Sequence, residues 1–197
     1  CCRSLSISVV SFFFFLSIRR HHHPPPFFSS ARLVVYKRRG LAADENNLIV
    51  LALRSLIVET DGHVILVDTG WGDKQDEKFF RHTYLHDGEG LIEGLRVRGY
   101  KPGDITDVVL THLHADHCGG SVVKSSGGTG FELTFPEAIY HVSRVQWEWA
   151  LKNNPREEDA FLEENILPIG QSGHLNLVDE DCELFSGFSV RICYGHT

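Results

Sequence analysis

The sequence predicts an α+β fold for one globular unit, which occupies residues 44–197 of the 197-residue chain. Apolar runs rich in β-branched residues recur along this part of the chain, and stretches with helical spacing separate several of them. Hydrophobic residues make up 42% and charged residues 23% of the sequence, as in folded globular proteins. The chain is therefore expected to fold rather than to be disordered or fibrous.

The predicted elements begin at residue 48. Leu48–Thr60 is a long apolar run, and Asp61-Gly62 joins it to His63–Asp68, which is the pattern of a β-hairpin. Lys74–His82 and Leu91–Tyr100 have the spacing of amphipathic helices. The first half of the unit is thus predicted as a hairpin followed by two helices.

The second half alternates in the same way. Ile105–Thr111 is predicted as a buried strand, residues 119–130 as a Gly- and Ser-rich loop, and Ala138–Val142 as a strand. Ser143 can cap a helix that runs to about Lys152, and Pro155 can start another helix. Three closing strands are expected at Leu175–Val178, Cys182–Phe185 and Phe188–Tyr194.

Residues 1–43 differ from the rest in charge. They contain seven basic residues and no acidic one, so all 26 acidic residues lie at 44–197. Such a segment resembles an organelle transit peptide, and its apolar run at Val9–Ile18 resembles a signal peptide. The alternative is a translated stretch that does not fold. The globular part is expected in the cytoplasm, and an organelle-targeted or secreted protein is the alternative if the segment is a targeting signal.

Three further counts limit the function. The net charge of −7 argues against nucleic acid as a partner, and no apolar run reaches the roughly 20 residues of a membrane-spanning helix. Five cysteines without regular spacing argue against a disulfide framework. Because methionine is absent and Cys1 is not a natural start, we expect a fragment, a processed product or a conceptual translation.

The chemistry is concentrated in Thr111–Gly120, THLHADHCGG, at the end of a predicted strand. His112 and His114 are two residues apart, so on an extended backbone they point the same way and can bind one ion. Asp116 and His117 come after the strand and offer a second pair of ligands. Imidazole with carboxylate suits zinc or another borderline divalent metal.

The pattern His112-x-His114-x-Asp116-His117 resembles the signature of the metallo-β-lactamase superfamily of hydrolases. Upstream, Val67–Gly70 resembles the aspartate-containing turn of that family. Downstream, Tyr194–Thr197 resembles the segment that supplies a third histidine. The resemblance covers about residues 46–197, and the surrounding sequence looks most like the branch with lactonases and organophosphate-hydrolase-like proteins.

The resemblance implies a four-layer αββα sandwich, of which this chain would hold only the N-terminal half, truncated before the second. It also implies the site residues. The ligands of the first metal would be His112, His114 and His196, and those of the second would be Asp116 and His117. Asp68 would not bind a metal itself but would orient one of the ligands. Two zinc ions are implied for a complete parent and at most one here, with iron or manganese as alternatives.

The implied activity is cleavage of a lactone or a related ester by metal-activated hydroxide, and a phosphotriester is the second candidate substrate. Asp116 would be the catalytic carboxylate that carries the proton. Two alternatives remain open: an inactive truncated product that binds at most one metal, which is expected for this chain alone, and a single-iron, thiol-oxidising member that resembles a persulfide dioxygenase. The expected partner is a small molecule, and the oligomeric state is not predicted.

The remaining candidate side chains are expected to be structural. Cys118, next to His117, is either a soft metal ligand or a small buried side chain, and burial is favoured. His141 and His174 have no partner at ligand spacing and are expected to be ordinary polar residues, and His63 is expected to face solvent from the hairpin.

Overall fold

The computed structural model describes residues 6–8, 14–19, 45, 48–81, 85, 89–152, 155 and 157–197. The strands are β1 (Ser6–Ser8), β2 (Phe14–Arg19), β3 (Leu48–Leu53), β4 (Leu56–Thr60), β5 (His63–Val67), β6 (Asp107–Val109), β7 (Val122–Lys124), β8 (Phe131–Leu133), β9 (Ile139–Ser143), β10 (Leu175–Val178), β11 (Cys182–Phe185) and β12 (Phe188–Val190). The helices are α1 (Glu77–Arg81), α2 (Leu91–Val97), α3 (Ala115–Cys118), α4 (Arg144–Ala150) and α5 (Glu163–Gln171). Short 3₁₀ turns occupy Pro102–Asp104 and Gly119–Ser121.

The main sheet has six strands in the order β1-β4-β5-β6-β9-β10. Strands β5, β6, β9 and β10 are parallel to one another, and β4 is antiparallel to β5. The β4–β5 connection is the predicted Asp61-Gly62 turn, whose residues have φ of 45° and 88°. These left-handed angles are those of a two-residue hairpin turn, so this prediction is confirmed.

The two faces of the sheet pack against different layers. One face supplies residues such as Leu66 and Val108 to the larger hydrophobic core, where Leu95 of α2 and Ile169 of α5 join them. The opposite face supplies Ile65 and its neighbours to a smaller core, which the hairpin of β11 and β12 covers. The helices therefore lie over one face, and a short hairpin covers part of the other.

Several predicted elements differ from the structure in their bounds. Leu48–Thr60 forms two strands, β3 and β4, because β3 pairs with β2 whereas β4 belongs to the main sheet. The buried residue Ser55 lies between them. The predicted loop at 119–130 contains β7, which pairs with β8.

No helix begins at Pro155 either. Residues 157–160 form a turn, and the amide of Ala115 donates to the carbonyl of Ala160, which fixes this turn beside α3. The next helix, α5, begins only at Glu163, after the extended residue Leu162. The acidic residues 157–159 therefore lie in a turn and not in the first turn of a helix.

Residues 1–43 contribute β1, which pairs with β4, and β2, which pairs with β3. The division of the chain into a 1–43 extension and a 44–197 domain remains a prediction. None of the helices in the described part of the chain has the length and apolar character that a membrane crossing needs.

Candidate metal centre

The candidate site is built where β5 and β6 end side by side. Asp68 follows β5 and Thr111 follows β6 by two residues, so parallel pairing brings the two positions to the same edge of the sheet. The amide of Asp68 donates to the carbonyl of Val109 at 3.0 Å, and the amide of Thr111 donates to Oδ1 of Asp68 at 2.9 Å. Asp68 has φ of 56°, a left-handed conformation that aspartate tolerates better than most residues.

Three histidines converge at this edge. His112 and His114 come from the segment after β6, and His196 comes from the segment after β12. The ring of His196 lies 4.7 Å from that of His112 and 5.2 Å from that of His114, measured between ring centroids. One nitrogen from each ring can be chosen so that the three atoms lie within 4.8 Å of one another. The structure thus brings together the three residues that the resemblance assigned to a first metal.

The donor set fits a zinc ion. Nε2 of His112 and Nδ1 of His114 are 3.1 Å apart. Two ligands of one tetrahedral zinc, each at about 2.0–2.1 Å, lie roughly 3.3–3.4 Å apart. Small side-chain rotations therefore place the two nitrogens at ligand positions, and three imidazoles leave a fourth position for water or substrate.

His117 lies between two carboxylates. Its Nδ1 is 2.7 Å from Oδ2 of Asp68, and its Nε2 is 3.7 Å from Oδ2 of Asp116. The hydroxyl of Thr111 donates to the same Asp68 carboxylate at 2.8 Å. The Asp68 contact assigns the proton to Nδ1 of His117, which leaves the Nε2 lone pair directed toward Asp116.

The pair formed by Asp116 and His117 also fits one ion. Two ligands that are each about 2.0–2.2 Å from a zinc ion lie at most about 4.4 Å apart, and the 3.7 Å separation is inside that limit. Asp68 contacts Nδ1 of His117 at 2.7 Å, which is the arrangement expected of a carboxylate that orients a ligand.

Backbone packing holds the loop that carries His117. The amide of Thr69 donates to the carbonyl of His117 at 2.7 Å, and the amide of Gly120 donates to the carbonyl of Gly70 at 3.1 Å. A Cβ on Gly119 or Gly120 would come closer than 3.0 Å to backbone atoms of the facing loop. The Gly-Gly pair after the motif is therefore required by this close approach.

Cys118 is buried completely, and its thiol donates to the carbonyl of Leu113 at 3.3 Å. Burial raises the pKa of this thiol to about 12. Complete burial and this hydrogen bond agree with the predicted role of Cys118 in the core.

Lys74 is a buried cation that the sequence did not single out. It is 4% exposed, and its Nζ donates to the carbonyl of Gly119 at the end of α3. Burial lowers the pKa of Lys74 to about 8, against the attraction of Asp73 and Glu164. An ammonium at this carbonyl suits the negative end of α3.

Replacing Lys74 by Met should change how stability depends on pH. Because the pKa of Lys74 is lower in the folded chain than its ordinary 10.5, the unfolded chain binds more protons at Lys74 between pH 8 and 10.5, and the contribution of Lys74 to stability rises with pH there. Relative to K74M, the free energy of unfolding should gain up to about 3 kcal/mol between pH 7 and 10.5. Urea unfolding at both pH values measures this gain, with exposed Lys152→Met as the control. Identical pH profiles for wild type and K74M would contradict it.

His141, which was expected to be an ordinary polar residue, and His63, which was expected to face solvent, both contact the carboxylate of Asp107. Nδ1 of His63 lies 2.7 Å and Nε2 of His141 lies 2.9 Å from the two oxygens of Asp107, and Asn176 contacts His141 at 2.9 Å. Burial alone would raise the pKa of Asp107, but the hydrogen bonds from His141, Thr106 and His63 together lower it. Sequence reasoning missed this group because its members meet only through the register of four neighbouring strands, β5, β6, β9 and β10.

Comparison with known proteins supports the predicted family. Residues 50–123 match the family model described as the metallo-beta-lactamase superfamily. The matched residues include the histidine motif, which agrees with the resemblance seen in the sequence. It is 28% identical over 168 residues to the N-acyl homoserine lactonase AiiA of Bacillus thuringiensis subsp. kurstaki, with 79% of this chain and 59% of the relative covered. The chain thus spans about three fifths of the length of that lactonase.

A probable metallo-hydrolase of Mycobacterium tuberculosis is 32% identical over 111 residues, which cover 52% of this chain and 32% of the relative. Among solved structures, a probable metal-dependent hydrolase from Staphylococcus aureus aligns with a TM-score of 0.73 at 22% identity, covering 93% of this chain and 62% of its own. AidC, a dizinc quorum-quenching lactonase in complex with a product, aligns with a TM-score of 0.60 at 26% identity, covering 92% and 60%. These alignments confirm the predicted mixed α and β fold.

Proposed function

We propose that this metallo-β-lactamase domain provides the metal-binding histidines of a zinc-dependent hydrolase that opens a lactone or cleaves a related ester. The observation that carries the proposal is the convergence of His112, His114 and His196, whose ligand nitrogens lie within 4.8 Å of one another. Three imidazoles with an open position are the ligand set of a catalytic rather than a structural zinc site.

A zinc ion bound there would lower the pKa of a water molecule and polarise the carbonyl of the substrate. The protein's own groups then have separate tasks. Asp68 keeps the proton on Nδ1 of His117, so that Nε2 stays a lone-pair donor. Oδ2 of Asp116, which lies beside this ring, is the acceptor that we assign to the proton of the attacking water.

The same Asp116 oxygen would return this proton to the alkoxide that leaves when the ester bond breaks, so that Asp116 ends the reaction ionised as it began. The other proton of the water stays with the product carboxylic acid and is released when that acid ionises. Cys118 is not the nucleophile in this scheme, because its side chain is completely buried and its thiol donates to the carbonyl of Leu113. The lactone class is supported by the relatives, several of which are N-acyl homoserine lactonases.

The proposal is tested by metal depletion and reconstitution of the chain. Protein treated with a chelator is reloaded with zinc, manganese or ferrous iron, and is then assayed with an N-acyl homoserine lactone, a phosphotriester, and a thiol persulfide with oxygen. In place of the sequence-based expectation that this chain alone is inactive, we expect zinc to restore lactone hydrolysis most strongly. We expect Asp116→Asn to reduce this turnover while zinc is retained at the three histidines.

Each other outcome points to a stated alternative. Zinc uptake without turnover of any substrate would contradict the proposal and support an inactive metal-binding chain. Oxygen consumption with ferrous iron alone would support the thiol-oxidising alternative. Faster turnover of the phosphotriester than of the lactone would indicate phosphotriesters, rather than lactones, as the substrate class.

A further inference from the structure

His196 is held differently from the other two histidines of the cluster. His112 and His114 follow β6 within a few residues, whereas His196 is exposed in a segment that has no regular structure after β12. The amide of Ile192 donates to Oδ1 of Asp181 at 2.7 Å and fixes the start of this segment. A second attachment is needed beyond Ile192 if the imidazole of His196 is to stay beside the other two.

Gln146 supplies that attachment. The hydroxyl of Thr197 donates to Oε1 of Gln146 at 2.6 Å, across 51 positions of sequence. Gln146 belongs to the first turn of α4, and its backbone amide donates to the hydroxyl of Ser143, which caps the helix. The residue next to His196 is thus bonded to a side chain that a regular helix holds in place.

Stability alone does not explain why a side-chain amide stands at position 146. Its side chain is 8% exposed, and its Nε2 is buried without an acceptor among the described residues. Burying an amide donor without a partner costs about 1–3 kcal/mol. A leucine of similar size would avoid this cost, so stability by itself would favour the apolar residue at this position.

We propose that Gln146 is a positioning residue for the metal centre: by holding Thr197 it keeps His196 in place beside His112 and His114. This inference rests on the proposed function, because it takes the three histidines to be ligands of one ion. Gln146 itself touches Thr197 and not the ion, so its effect should appear in metal affinity before it appears in the chemistry of turnover.

The test measures zinc affinity by competition with a chromophoric chelator, using the full chain. Gln146→Leu should bind zinc at least about tenfold more weakly, the range seen when supporting residues of metal sites are removed. Gln146→Glu keeps an acceptor for the Thr197 hydroxyl and should retain most of the affinity. Glu148→Gln, on the exposed side of α4, is the matched control and should bind zinc like wild type.

Thr197→Val gives an independent arm. If Gln146 acts through Thr197, T197V should weaken zinc binding as much as Q146L does, and the double variant should be no weaker than either single one. The thermal midpoint of metal-free Q146L should not fall below that of wild type. If Q146L does fold less stably, T197V decides: unchanged zinc affinity in T197V overturns the proposal.

The failure of this inference and the failure of the proposed function can be told apart with His196→Ala. Wild-type zinc affinity in Q146L together with a large loss in H196A would overturn the role of Gln146 and leave the metal site intact. Wild-type affinity in H196A itself would overturn the three-histidine site, and the role of Gln146 with it.

Discussion

Replacing both His112 and His114 by alanine is expected to abolish zinc binding at the three-histidine cluster. The variant would leave His196 as a single imidazole at a site that needs three protein ligands. Zinc content after dialysis should fall by the full amount held at this cluster, and lactone hydrolysis should fall to the level of the metal-free protein. Elemental analysis and the lactone assay on the same sample measure both effects.

The matched control is His174→Ala. His174 is a histidine of the same chain whose Nδ1 contacts the carbonyl of Ala138, away from the cluster. This variant should keep its zinc. Equal zinc content in the H112A/H114A variant and the wild type would show that the metal is bound elsewhere, and the proposed function would then have no site.

The second large effect is expected from Asp68→Asn. The amide group would place a nitrogen donor where Oδ2 now faces Nδ1 of His117 at 2.7 Å. His117 would then have to carry its proton on Nε2, and it could no longer offer that nitrogen to a metal beside Asp116. Turnover should fall by about 10–100-fold, the range for carboxylates that orient metal-bound histidines, while the three-histidine cluster keeps its zinc.

Asp61→Asn is the control for this substitution. Asp61 also has a positive φ, 45° against 56° for Asp68, so the same chemical change is made at a similar backbone conformation in the exposed β4–β5 turn. It should leave turnover unchanged. If D68N is as active as D61N, Asp68 is not needed for catalysis and serves only to form the turn.

The part of the site that could be predicted from the sequence is the part set by short-range geometry. His112 and His114 share one side of an extended segment because of their spacing, and parallel pairing of β5 with β6 brings Asp68 beside the motif. The place of His196 was expected only from the resemblance to a family, since nothing local to Tyr194–Thr197 shows which other residues it meets.

The supporting residues could not be predicted because their partners are far away in sequence. Gln146 meets Thr197 across 51 positions and Lys74 meets Gly119 across 45, and neither pair shows a spacing or composition signal. The group around Asp107 depends on the register of four strands. The bounds of the second half failed for the same reason: α5 begins at Glu163, and the turn before it is fixed by a bond to Ala115.

The most direct test of the three-histidine site is a crystal structure of the zinc-loaded protein with anomalous diffraction measured at the zinc edge. The structure predicts one anomalous peak within bonding distance of Nε2 of His112, Nδ1 of His114 and a ring nitrogen of His196. A zinc peak bound to other residues, or a His196 ring turned away from an ion held by the other two, would contradict it.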